Sequence, residues 1–170
     1  MAGFRTHPLV AGMLPPAVVE VGASYEENAL LKGLAYARWS GVPVMVDDTG
    51  LEVDALAGLP GVYTARFGVE RVREQLKPLG ASSAAFVCCI ALVWPSGRHI
   101  TVRGSCRGSF VSDLQQQDAV PNRELPFSSF FVPSGRSGSL SEIMRLEPRF
   151  LSHRGIAATT LWRVAGYISD

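Results

Sequence analysis

The sequence predicts one α/β domain, a central twisted mixed sheet with flanking helices, and three observations carry that expectation. Its 170 residues are enough to enclose a single core. A hydrophobic share of 47% against 18% charged is that of a globular chain and excludes a disordered one. Strand-like apolar runs alternate with capped helical segments, with no internal repeat and no linker, so residues 1–170 read as one domain.

Residues 1–19 carry three prolines and no helical period, and read as an extended lead-in. Ser24 followed by Glu27 fits a capping box. Ala29, Leu30, Leu31, Leu34, Ala35 and Ala37 continue with helical spacing until Gly41 and Pro43 stop the helix near Ser40. "VPVMV" is then a short apolar strand of the kind covered on both faces, with a turn expected at Asp47-Asp48-Thr49-Gly50. Glu52 and Asp54 alternate with Leu51 and Val53 as a strand's polar face would. Residues 69–78 suggest a short polar-faced helix. The strongest β signal is 84–110, two strands about the turn Pro95-Ser96-Gly97, with Gly104 or Gly108 marking a bulge or bend. Residues 112–128 are polar and irregular, and "SFFVP" is another short strand. Ser139 caps a brief helix ending before Pro148. Ser152 caps the last helix, whose apolar side is Ala157, Ala158, Leu161, Trp162 and Ala165.

Sixteen basic and fifteen acidic side chains leave a net charge of +1, which argues against a nucleic-acid groove. Cys88, Cys89 and Cys106 form an odd set without CxxC spacing, and adjacent Cys88 and Cys89 point to opposite faces of a strand. Buried reduced thiols are expected. No apolar run reaches membrane-spanning length, and the start lacks a basic-then-apolar signal pattern. A soluble cytoplasmic protein with no membrane partner is the expectation.

The chemistry-bearing feature is the carboxylate pair in "VMVDDTGLEVDALAGLPGVYTARFG", residues 44–68. Asp and Gly at a strand end are ordinary turn residues. They also suit a hard cation: Mg²⁺ takes one or two carboxylates and keeps waters. Adjacent carboxylates raise one another's pKa, which favours one as a base. Glu27 is explained by its capping role. Phe131 is expected in the core, while Phe127 is either core or a stacking platform.

The blocks "SYEENALLKGLAYARWSGVPVMVDDTGLEVDALAGLPGVYTARFG", "FVCCIALVWPSGR", "FFVPSG" and "SHRG" together resemble the inosine triphosphate pyrophosphatase family, over about residues 14–163. The resemblance implies Mg²⁺-dependent hydrolysis of non-canonical purine nucleoside triphosphates to monophosphate and pyrophosphate, by a homodimer. It further implies Glu20 and Asp48 as metal ligands, with Asp48 also the catalytic base. Lys32 falls near the phosphates and Thr49 beside the substrate. His153 and Arg154 match the pair contacting the base.

The chain also departs from the family pattern. The family's opening strand, T-G-N-x-x-K loop and helix have no counterpart, an N-terminal shortening that removes phosphate contacts and opens a sheet edge. Leu125-Pro126-Phe127-Ser128-Ser129 stands in place of F-G-Y-D-P, leaving Phe127 as the aromatic candidate. Pro148 replaces a lysine whose charge Arg149 partly supplies. The connection between Phe67 and Ala84 is short. Three readings stay open on these grounds: a divergent active pyrophosphatase, a repurposed enzyme acting on another nucleotide-like substrate, and a non-catalytic binding or partner subunit.

Overall fold

A computed structural model describes residues 15–114 and 126–166. The first helix, α1 (Tyr25–Ser40), begins as its capping box dictates. Ser24 Oγ accepts from Glu27 N–H at 3.1 Å, and Glu27 Oε2 accepts from Ala23 N–H at 2.7 Å, one residue before the cap. It ends at Gly41, whose φ of 70° is the left-handed conformation that lets its N–H reach the Ala37 carbonyl.

The next strand, β1 (Val44–Val53), corrects the expected turn: Asp47-Asp48-Thr49-Gly50 lies inside the strand. The reason is its ladder with β3 (Ala81–Val93), which pairs every residue from Val44↔Val93 to Val53↔Ala84. Backbone pairing on that scale outweighs the local turn preference of Asp and Gly. After a 3-10 turn, Asp54–Leu56, come the two-residue β2 (Pro60–Gly61), then α2 (Thr64–Phe67) and α3 (Val69–Leu76). β3 turns through Trp94–Arg98 into β4 (His99–Val111), with no break in register from Ala81↔Val111 to Val93↔His99. The short β5 (Phe131–Pro133) pairs with β4, and α4 (Leu140–Leu146) and α5 (His153–Gly166) follow.

The strand order is β2-β1-β3-β4-β5, and all four ladders are antiparallel. The α/β architecture with a central sheet and flanking helices thus stands, while its described strands pair antiparallel throughout and not in a mixed sheet. Along Val44–Gly50, β1 is paired on its β3 side only, among the described residues.

Alternation along the strands sorts the core. Even-numbered β1 residues and odd-numbered β3 residues face α1, with Tyr25, Ala29 and Ala37 packed on Val87, Cys89, Ala91 and Val93. The opposite face carries Leu51, Val53, Phe86, Phe110 and Phe131 at one end, with Cys88, Ile90 and Val102 under Ala157 and Leu161 of α5 at the other. Cys88 and Cys89 therefore do face opposite ways, and all three thiols are free and buried. Gly104 and Gly108 mark close approaches and no bulge. A Cβ at Gly104 would fall on the backbone of His153 and Ala157, and one at Gly108 on the Val132 carbonyl of β5. On α5 the buried stripe is Ala157, Leu161 and Ala165, whereas Ala158 and Trp162 face outward. Among the described residues no helix is long and apolar enough to cross a membrane.

Candidate functional site

Because β1 is extended through the acidic pair, Asp47 and Asp48 project to opposite faces of the sheet. They do not form one acidic site, and the leading influences on each carboxyl come from other residues. Each instead anchors its own cluster.

On the α1 face, Lys32 Nζ lies 2.9 Å from Glu20 Oε1 and 3.2 Å from Asp48 Oδ1. Lys32 is on the second turn of α1, Glu20 on the lead-in segment and Asp48 mid-strand, so three separate pieces of chain converge on one ammonium. The remaining Asp48 oxygen, Oδ2, accepts from Asn28 Nδ2 at 3.2 Å. Asn28 Oδ1 in turn accepts from Gly22 N–H at 2.8 Å, and the whole Asn28 side chain is buried. Arg66 of α2 donates to the Glu20 carbonyl at 3.3 Å, a further tie on the lead-in.

Burial raises the Asp48 pKa; Lys32 and Asn28 pull it down without cancelling that effect, and the carboxyl ends above its ordinary range. For Lys32, burial works downward but the bonds to Glu20 and Asp48 outweigh it, so its ammonium is held more firmly than usual.

On the α5 face, Asp47 Oδ2 accepts from Thr49 Oγ1 at 2.8 Å and from Arg154 Nε at 3.0 Å, with Cys88 Sγ at 3.7 Å. Burial works to raise the Asp47 carboxyl, but Thr49 and Arg154 outweigh it and hold it below the usual carboxylate range. Burial pushes the Cys88 thiol up to about 11, so it is a protonated packing group and not a nucleophile.

The predicted site residues are therefore divided. Glu20, Lys32 and Asp48 come together. Thr49 and Arg154 come together on the other face, through Asp47. His153 is enclosed: 1% exposed, with its ring stacked on Phe86 at 4.9 Å. Its two nitrogens have no hydrogen-bond partner among the described residues. Burial, then the neighbouring Arg154 charge, lower its pKa to about 4, against a smaller opposing effect of Asp47. Here it is a buried, neutral side chain packed on Phe86. Phe127 is likewise a core residue, 3% exposed and set against Phe110 at 6.4 Å between ring centroids. Arg149 is exposed and lines a surface cleft with Arg136, Glu147 and Phe150.

Asn28 is the participant that motif reading missed. Asn28 had a legible signal, since a polar residue sits three after Tyr25 on the buried stripe of α1. Asp47 was legible as one of the carboxylate pair, but its face was not, because that depends on whether the strand continues.

Glu20 and Asp48 offer hard oxygen donors converging on a point that now carries a positive charge. That donor chemistry fits a Mg²⁺-type cation, which needs only one or two protein carboxylates. Among the described residues no group of three or more His, Cys, Asp or Glu gathers into a larger metal cage.

The domain is an antiparallel sheet between helices, with Lys32 of α1 set against the mid-strand carboxylate Asp48. The sequence profile of the Ham1 family matches residues 5–164, and the chain belongs to that family. A dITP/XTP pyrophosphatase of Deinococcus deserti is 40% identical over 150 residues, covering 84% of this chain and 70% of that protein. A dITP/XTP pyrophosphatase of Exiguobacterium sp. is 38% identical over 168 residues, covering 94% and 83%. Both relatives are thus named as hydrolases of nucleoside triphosphates, and the family is one of enzymes. Among solved structures, a HAM1 protein from Coxiella burnetii superposes with a TM-score of 0.77 at 26% identity, covering 90% of this chain and 82% of that one. A nucleoside-triphosphatase/dITP/XTP pyrophosphatase from Mycobacterium abscessus gives 0.69 at 33% identity, covering 86% and 78%.

Proposed function

We propose that this chain hydrolyses non-canonical purine nucleoside triphosphates to the monophosphate and pyrophosphate, with Mg²⁺ as cofactor. The observation that carries this reading is the convergence of Glu20 and Asp48 on the Lys32 ammonium at 2.9 and 3.2 Å, in a chain of this family. A triphosphate brings several negative charges, so its binding site needs a cation and a positive side chain held by opposing carboxylates.

Glu20 and Asp48 are the residues that would hold the metal, whose chemistry there would be to neutralise phosphate charge and polarise a water. Lys32, freed from one of its carboxylates, donates to a phosphate oxygen and holds the chain in place. Asp48 accepts the proton of the attacking water, a role for which its position beside the cation and Lys32 suits it. Asn28 keeps Asp48 from rotating.

On the other face, Thr49 and Arg154 attend the substrate's base end. Arg154 is 45% exposed and keeps donors beyond the one committed to Asp47. The homodimer forms part of this reading and rests on the family resemblance, and the cytoplasmic location is carried over from the sequence expectation.

The test is a chromatographic assay of the purified chain with inosine, xanthosine and adenosine triphosphates, with and without Mg²⁺. Monophosphate and pyrophosphate are expected from the first two, only with metal, and are lost in Asp48→Asn. No turnover of any triphosphate would overturn the proposal.

A further inference from the structure

The two carboxylates of the α1 face are held by very different backbones. Asp48 sits in a strand paired along its length, whereas Glu20 lies on a segment without regular structure, before the first helix. Two carboxylates bind a cation strongly only if their separation is fixed before it arrives. Something must register the lead-in against β1.

Lys32 bridges the two carboxylates themselves, and Asn28 makes a second connection that does not occupy the gap between them. Asn28 Nδ2 donates to Asp48 Oδ2 at 3.2 Å, and Asn28 Oδ1 accepts from the backbone N–H of Gly22, two residues after Glu20, at 2.8 Å. The partners fix the amide's orientation: reversal would set its oxygen against a carboxylate and its NH₂ against an N–H. Asn28 is fully buried, on a helix stripe otherwise made of Tyr25, Ala29, Gly33 and Ala37. Asparagine is a poor choice for a buried helix interior on propensity and desolvation, unless its hydrogen bonds do a job there. Gly22 fits the same account. A Cβ there would lie 2.6 Å from Asn28 Oδ1 and 2.7 Å from Glu27 Cβ, so the close approach depends on glycine.

We infer that Asn28, together with Gly22, is the positioning element of the cation site. Its carboxamide braces the Glu20 arm against the Asp48 arm, and it sets the gap that Lys32 and a divalent cation occupy in turn. This inference rests on the proposed cation site and adds a residue to it that touches neither metal nor substrate.

The experiment is Mn²⁺ binding to the full chain, without nucleotide, followed by electron paramagnetic resonance, in wild type, Asp48→Asn, Asn28→Ala, Gly22→Ala and the Asn28→Ala/Gly22→Ala double variant. Thermal melts run in parallel. Asp48→Asn is expected to lose binding. Asn28→Ala and Gly22→Ala are each expected to weaken it by about tenfold or more, as loss of an outer-shell partner does. The double variant should be no weaker than the weaker single one, since both changes open one brace. A purely structural role would lower the melting temperature and leave the Mn²⁺ affinity of the folded protein unchanged. If Asp48→Asn loses Mn²⁺ while folded Asn28→Ala and Gly22→Ala bind like wild type, the brace is wrong and the cation site stands. If Asp48→Asn binds Mn²⁺ as wild type does, the site falls and the brace with it. Should Asn28→Ala fail to fold, Gly22→Ala decides alone, because it lies outside the helix.

Discussion

Lowering the pH tests the placement of His153 in the core. The ring is 1% exposed, stacked on Phe86, and has no hydrogen-bond partner for either nitrogen among the described residues. Its pKa falls from 6.5 to about 4 on folding. Between those values the unfolded chain binds a proton that the folded chain does not. Stability from this group is therefore complete above the unfolded pKa, and is lost as pH falls toward the folded one. Worked as a linkage, the loss on going from neutral pH to about pH 5 is about 2 kcal/mol. Other groups also titrate over that range, so the comparison is with His153→Phe, which keeps an aromatic ring on Phe86 and removes the titration. Urea unfolding at several pH values supplies the free energies. Wild type should lose about 2 kcal/mol more than His153→Phe over the interval. At neutral pH the variant should be at least as stable, apart from any overpacking, because no hydrogen bond is given up. Parallel pH curves for the two proteins would refute the argument and place the imidazole in contact with water or a partner.

Two further outcomes follow from the packing of the sheet faces. Lys32→Gln leaves Glu20 and Asp48 facing each other without compensation, and should cost about 1–3 kcal/mol, discounted because Glu20 is one-third exposed. Mg²⁺ should then raise the melting temperature of the variant more than that of wild type, and an equal response would remove the idea that metal and ammonium share a position. Gly104→Ala drives a methyl group into the backbone of His153 and Ala157, which cannot swing aside, so the urea midpoint should fall by the equivalent of about 1–3 kcal/mol. An unchanged midpoint would mean that α5 is not seated on β4 as described.

Much of this architecture is legible locally. Ser24, Glu27, Gly41, Ser139 and Ser152 mark helix ends because caps are satisfied by side chains a few residues away. The β3–β4 pair is equally legible, since its alternation and its turn lie in one continuous stretch. Glu20, Lys32 and Asp48 of the α1-face cluster were candidates through the family resemblance and not through local spacing. What local reading could not supply was the path of the strand at Asp47 and Asp48. The residues there favour a turn, and only the consecutive pairings from Val44↔Val93 to Val53↔Ala84, with a strand distant in sequence, keep the chain extended.

That one fact redistributes the site. Extension puts Asp47 and Asp48 on opposite faces, gives Asp48 to Lys32 and Asn28, gives Asp47 to Thr49 and Arg154, and leaves His153 stacked in the core. The sequence by itself determined the family, the order of elements and the types of side chain available for cation and phosphate chemistry. The tertiary structure alone decided which of them meet, because strand pairing is a long-range interaction and the side a carboxylate faces changes with a single residue of register.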